Sequence, residues 1–376
     1  MMDRPAAPLP DPFVRRRTLG VLDWPAWRAF LTRWAISVVS LAGGLAALFV
    51  FRRGVPHVGW IVGYVVVLWL LFTVLTQMRE RLPEGSDGRQ RPKAVDGAAG
   101  PTRRDQMLDR GRRLVVVAGD YTIQTLYHGL LLFVLPGYLA STTFDGITLP
   151  FFLVLAGAAL LTTVDPWYRA LVHPHPWGSR VFFAFSLFAG LNVALPLVGV
   201  PPAAALAGSA GLAGLALTPA FVERTGSWPR ALGGAGLSAA LALALAWVLM
   251  PAIPPAPLAL VHPTMARAVA ELEPVDPVAA PIPARTLAAW GGLVAYTPVS
   301  APAGLRQPIV HRWRHDGRVV STVRLSTPIL GGRAAGFRTY SRKADFPADP
   351  RGRWSVDVVT ASGQLIGRVR FTVVPS

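Results

Sequence analysis

The sequence predicts an α-helical membrane bundle of about seven transmembrane helices followed by a small all-β, sandwich-like C-terminal domain. Three observations carry this expectation. The chain has 376 residues, of which 52% are hydrophobic and only 15% charged, with a mean hydropathy of +0.42; an ordinary soluble domain carries about 25% charged residues. Several stretches approach the roughly 20 mostly apolar residues that a helix needs to cross hydrocarbon. After Arg285 the hydrophobic period changes from that of helices to the strict alternation of strands.

The N-terminal segment, 1–33, contains Trp24, Trp27 and Leu31, which with Trp34 fall on one helical face beside Arg28 and Arg33. This predicts a short interfacial helix that anchors the first span, with indole rings at headgroup level. The spans are expected at 34–51, 58–77, 114–139, 147–164, 181–199, 203–222 and 231–250. The sixth is rich in Ala and Gly and is the weakest, so six spans is the alternative. A cleaved signal peptide is disfavoured, because Arg52 and Arg53 follow the first apolar run where a small-residue cleavage site would stand. Small residues spaced by four, Gly236, Ala240 and Ala244, and Ala207 with Gly211 and Ala210 with Gly214, allow helices to approach closely.

Basic residues in short loops mark the cytoplasmic side. The N-terminal segment and the 78–113 loop, which holds ten Lys and Arg, are basic, as are the loops with Arg169, Arg180, Arg224 and Arg230. The alternate loops at 140–146 and 200–202 have no basic residue, and Arg52 and Arg53 are the one contradiction. The N-terminus is therefore expected in the cytoplasm of a bacterial inner membrane and the C-terminal domain in the periplasm. The formal charge is +17, and from Arg285 onward fourteen Lys and Arg face four Asp and Glu. A basic exported surface is drawn to anionic headgroups or envelope polymers, although an arginine-rich composition, with only Lys93 and Lys343 as lysines, accounts for the charge equally well. Nucleic acid is disfavoured as a partner on that side. The chain has no cysteine, which excludes disulfides, thiolate catalysis and cysteine-based metal centres.

Residues 251–284 are dense in proline and predict an extended, semi-rigid linker, with a short helix near Thr264–Leu272. The domain itself is expected over 285–376. Ile309–His315 and Arg318–Leu325 alternate about Asp316-Gly317, a strong signal for a type I′ hairpin. The simplest register sets Trp313 against Val320 and His311 against Thr322. A further strand is expected over 336–343, a second hairpin joins 354–360 to 364–374, and Ala295–Val299 supplies another strand. Five to seven antiparallel strands of this kind fit a small sandwich.

His311-Arg312-Trp313, Asp316-Gly317, Phe337-Arg338-Thr339-Tyr340-Ser341, Gly352-Arg353-Trp354-Ser355-Val356-Asp357-Val358-Val359, Gly363-Gln364-Leu365-Ile366-Gly367 and Phe371 follow one another in order. This stretch, roughly 305–374, resembles an uncharacterised bacterial family: a short β-domain of unknown function at the C-terminus of multi-pass inner-membrane proteins. The resemblance implies that architecture and carries no activity.

Two constellations are candidates for function. On the β-domain, Arg312, Arg314, Arg338 and Arg342 combine guanidinium donors with the aromatic face of Tyr340, which suits an anion, a sugar or a partner protein. In the third span, Asp120, Gln124 and His128 at i, i+4 and i+8 share one broad face, since each step of four drifts by about 40°. Ionisable groups within a span mark a pathway or relay, and Asn192 is a candidate partner; the plainer reading is helix packing. His173 and His175 in a proline-rich loop lack further ligands for a metal, Asp165 and Arg169 pair across a helix end, and the motifs of P-loop enzymes, serine hydrolases and zinc proteases are absent. No cofactor is implied. The leading expectation is a non-enzymatic envelope protein that binds a partner or an anionic polymer through its β-domain; a transporter or membrane enzyme working through the polar stripe is the alternative.

Overall fold

The computed structural model describes residues 70, 103–144, 146–172 and 176–375, with the side chains of 103–110, 112–121, 165, 166, 169 and 176 outside that description. The expected interfacial helix lies outside the described residues. So do the first two expected spans apart from residue 70, most of the 78–113 loop, and His173 and His175.

The helical part runs α1 (Arg103–Ala140), α2 (Leu149–Thr163), α3 (Asp165–Leu171), α4 (Pro176–Leu197), α5 (Pro202–Leu215), α6 (Thr218–Thr225) and α7 (Trp228–Val248). Among the described residues, four stretches are long and apolar enough to cross a membrane: Thr122–Ala140, Trp177–Leu197, Pro202–Thr225 and Trp228–Val248. Five were expected in this part of the chain, and a count of seven is not supported. The difference is α2, whose 15 residues span about 22 Å against a hydrocarbon thickness of about 30 Å. Helix continuation through 166 would need an N–H there to reach the Thr162 carbonyl. Pro166 has none, and Val164 turns to an extended conformation (φ −103°, ψ 93°). Pro219 likewise leaves the carbonyl of Leu215 to the Thr218 hydroxyl, but Ala216 and Leu217 keep near-helical dihedrals (φ −62° and −81°), so α5 and α6 continue as one apolar stretch of 24 residues. The chain thus repeats one plan, a helix of intermediate length, a short helix and a long one, with 15, 7 and 22 residues and then 14, 8 and 21.

Close packing of α5 on α7 uses small residues, though only part of the expected set. A Cβ on Gly214 would lie 2.4 Å from the Ala239 Cα, and the Ser238 hydroxyl donates to the Gly214 carbonyl at 2.8 Å. The buried stripe of α7 is Ala231, Ala235 and Ala239, whereas Gly236, Ala240 and Ala244 are exposed, as is Ala207 on α5.

The proline-rich segment is not a spacer. Ala256 packs into the apolar cluster of α1, α2 and α4, Met250 and Ile253 pack on Leu206 and Ala210, and Ser141 donates to the Leu258 carbonyl at 2.5 Å. The segment then forms strands β1 (Ala259–Leu260), β2 (Thr264–Ala270), β3 (Glu273–Val278) and β4 (Ile282–Pro283), so the expected helix near 264–272 is a strand. Its prolines are tolerated because Pro274, Pro277 and Pro283 sit on edge strands, where a missing N–H costs no ladder bond. After helix α8 (Ala284–Trp290) come β5 (Leu293–Tyr296), β6 (Val299–Ser300), β7 (Arg306–Gln307), β8 (Ile309–His315), β9 (Arg318–Arg324), β10 (Ile329–Leu330), β11 (Tyr340–Lys343), β12 (Gly352–Thr360) and β13 (Leu365–Val374).

Two principal sheets, in the orders β11-β5-β2-β3 and β4-β13-β12-β8-β9, enclose a core of Met265, Ile282, Leu287, Trp313, Trp354, Val356 and Phe371. Asp316 and Gly317 both have positive φ (45° and 83°), as the expected hairpin requires. A bulge between Trp313 and Arg314 changes its register, so Trp313 faces Ser321 and His311 faces Val323. Only Tyr340–Lys343 of the expected 336–343 strand is laddered, with a single bridge between Phe337 and Val299.

Two outcomes follow from this packing. Gly214→Ala forces α5 and α7 apart and lowers thermal stability in detergent by more than about 1 kcal/mol, read against a Gly233→Ala control, where a Cβ meets nothing within 4 Å. A fragment beginning at Arg285 lacks β1 to β4 and gives no cooperative melt, whereas one beginning at Pro257 does.

Candidate functional site

The alternation that buries Trp313 turns Arg312 and Arg314 to the outer face of the five-stranded sheet. There they meet residues the sequence reading left aside. Asp357 on β12 lies opposite Arg312 on β8 and Arg368 on β13. Its side chain is 4% exposed. The Arg314 Nε donates to Asp357 Oδ2 at 2.7 Å, and Arg368 donates from Nε to Oδ1 and from a terminal nitrogen to Oδ2 at 3.1 Å. Arg314 also donates to the Gly317 carbonyl at 2.8 Å, which ties the clamp to the hairpin turn. One row further, Ser355 lies between Arg314 and Arg370. Four guanidinium groups thus stand around one carboxylate, and Arg353 and Arg324 lie farther out on the same face. Arg312 makes no side-chain hydrogen bond or ion pair among the described residues, and a Cβ on Gly363 would lie 3.9 Å from its terminal nitrogen. The pattern Arg312-x-Arg314 recurs as Arg368-x-Arg370, and that was the available signal for the two residues missed.

The other three expected residues lie elsewhere. Tyr340 and Arg342 are on β11, an edge of the four-stranded sheet, and Arg338 precedes it. Arg338 pairs with Glu273 on β3, and Arg342 donates to the Gly291 carbonyl at 3.4 Å. Tyr340 is 42% exposed. The five residues thus divide between two sheets and do not form one cluster.

The inward residues of the same segments form a polar bolt. His311 is fully buried. Its Nδ1 lies 2.8 Å from the Ser341 Oγ and its Nε2 3.0 Å from the Thr297 Oγ1. Trp313 donates to the Ser341 Oγ at 3.0 Å, and the hydroxyls of Thr297 and Thr339 are 2.9 Å apart. The donors run in one direction, Trp313 to Ser341 to His311 to Thr297 to Thr339, when His311 is neutral with its proton on Nε2. Burial with no carboxylate in this network pushes its pKa down to about 4.

In α1, Gln124 donates to the Thr162 carbonyl at 3.1 Å, the acceptor that Pro166 leaves vacant. His128 lies 3.1 Å by Nδ1 from the Thr163 hydroxyl, which itself donates to the Ala159 carbonyl, and its Nε2 has no partner among the described residues. Asn192 donates to the Tyr138 hydroxyl at 3.0 Å rather than to the stripe. Asp120 is one turn before Gln124, with its side chain outside the described residues. Two of the three stripe residues therefore join α1 to the end of α2.

Residues 104–291, half of the chain, match the family of unknown function DUF5924. The chain belongs to that family. Residues 306–373 match a second one, the protein of unknown function DUF2914, over the stretch where the motif resemblance was read. No curated protein and no solved structure matches. The DUF5924 region reaches past the bundle to Gly291, and so supplies Met265, Ile282 and Leu287 to a core whose tryptophans come from the DUF2914 region.

His311 binds a proton near pH 6.5 in an unfolded chain and near pH 4 in the fold. Between those values the unfolded chain holds the extra proton. Stability is therefore complete above about pH 6.5 and falls by up to about 3 kcal/mol as pH drops to 4. Thermal melts across this range detect the loss, and His311→Gln flattens it. Asp357→Ala leaves Arg314 and Arg368 without their shared acceptor and lowers stability by about 2 kcal/mol in the same melts.

Proposed function

We propose that this is an integral inner-membrane protein of a bacterium, non-enzymatic, which presents its β-domain in the periplasm to bind an anionic envelope polymer. One observation carries the reading: Arg312, Arg314, Arg324, Arg353, Arg368 and Arg370 share the outer face of one sheet with Asp357 as the only acid on those strands, a net charge of five. Guanidinium groups suit sulfate, phosphate and carboxylate acceptors, and a dense cationic face raises the local concentration of a polyanion.

Loop charge supports the orientation without a count of spans. The loops on the β-domain side, 141–148, 198–201 and 249–258, contain no Lys or Arg, while Arg169, Arg180, Arg224 and Arg230 belong to the opposite end. That asymmetry favours the β-domain outside and the N-terminus in the cytoplasm. Transport or catalysis through Asp120, Gln124 and His128 is the weaker reading, because the Thr162 carbonyl and the Thr163 hydroxyl engage two of these residues.

Paired fusions at Ser376, one reporter active only outside the cytoplasm and one fluorescent only inside, test the orientation; outside activity is expected. Retention of the detergent-solubilised protein on immobilised anionic envelope glycan tests the binding. Arg312→Gln with Arg370→Gln, which spare the two arginines clamping Asp357, lowers retention about tenfold at low salt and removes most of its salt dependence. Retention unchanged by the pair, or capture by acidic proteins alone, defeats the proposal.

A further inference from the structure

The helical part contains a cavity of about 570 Å³ between α2, α4, α5 and α7. Phe151 and Val154, Phe185 and Phe188, and Ala242 and Leu245 form much of its wall. Ser238 is the single hydroxyl on it, and that group is turned to the carbonyls of Gly214 and Ala235. The wall offers no polar group to an occupant. Along α7 it extends from Ser238 to Leu249, about 16 Å at 1.5 Å per residue. The groove is long, narrow in chemistry and apolar throughout.

At the end away from the β-domain its lining reaches Val181 and Leu217. Arg180 immediately precedes Val181, and α6 begins immediately after Leu217. Here two guanidinium groups gather on one indole. The Arg180 and Arg224 side chains lie 5.3 Å and 5.6 Å from the centroid of the Trp177 ring, which Phe221 meets edge-on at 6.1 Å. Arg180 also pairs with Glu223 at 2.6 Å. Among the described side chains one carboxylate stands against two arginines beside this end of the apolar groove, with a tryptophan between them. Basic pockets between membrane helices, with aromatic rings at headgroup depth, match the headgroups of anionic lipids.

We infer that this groove holds an anionic phospholipid, one acyl chain between α2, α4, α5 and α7 and its phosphate against Arg180 and Arg224, in the leaflet opposite the β-domain. The inference rests on the membrane reading of the bundle. Release of the protein from membranes by alkaline carbonate without detergent overturns that reading and this one together, and the lipid experiment separates them when the protein stays in the membrane.

Full-length protein in mild detergent is mixed with phosphatidylglycerol or phosphatidylcholine and its lipid adducts are counted by native mass spectrometry. Phosphatidylglycerol is expected to be retained preferentially. Arg224→Gln, at an exposed position, reduces that preference about fivefold, while phosphatidylcholine adducts stay as they were. Ala242→Trp fills the groove and reduces adducts of both lipids. A photoreactive residue at Val154 needs no bulky change and is expected to label phospholipid. Equal retention of the two lipids by the unaltered protein overturns the proposal, as does labelling from Val154 that goes to another segment of the same chain.

Discussion

An uncharged histidine in an apolar core sets the terms for the β-region. The two sheets meet through Trp313, Trp354 and Phe371, and apolar contact of that kind is tolerant of sliding. The His311 chain of hydrogen bonds is not, because each of Ser341, Thr297 and Thr339 must arrive at a fixed place to satisfy a buried donor or acceptor. Once it closes, β8 of one sheet is registered against β11 and the residue after β5 of the other. The alternation along those strands then decides that Arg312 and Arg314 face out on one side, and Arg338, Tyr340 and Arg342 on the other.

This gives the shared motif of the C-terminal stretch a physical meaning. His311, Trp313, Thr339 and Ser341 are its inward half and act on one another. The arginines beside them are its outward half: Arg314 and Arg368 pair with Asp357, and Arg338 pairs with Glu273. A motif of this kind identifies a way of joining sheets more directly than it identifies a binding site.

What was legible in the sequence is what depends on neighbours in the chain. Asp316-Gly317 specifies its turn because both residues accept positive φ, and the long apolar stretches of α4 and α7 announce themselves by length. The bulge after Trp313 was not legible, since it answers to the fit of β8 between β9 and β12. Gln124 read as a relay residue because its acceptor is a carbonyl on another helix, exposed by a proline 42 positions away. Proline density at 251–283 signals a linker when counted and edge strands when placed. Asp357 meets its arginines only through strand pairing, since β8 and β13 bring them to either side of it.

The join between helices and sandwich has a mechanical consequence. Between Val248 and Ala259 the chain has no slack: Met250, Ile253, Ala256 and Leu258 are each buried against one body or the other, and Gly199 meets Gly304 across a second contact at 3.6 Å from its Cβ position. The sandwich therefore acts as a lever rather than a tethered float. A ten-residue strand such as β13 is about 33 Å long, so a rotation of roughly 5° at its base carries the far end about 3 Å. Load applied to the arginine face is delivered as torque to the ends of α1, α4 and α7, and a small repacking of those helices is magnified at the tip.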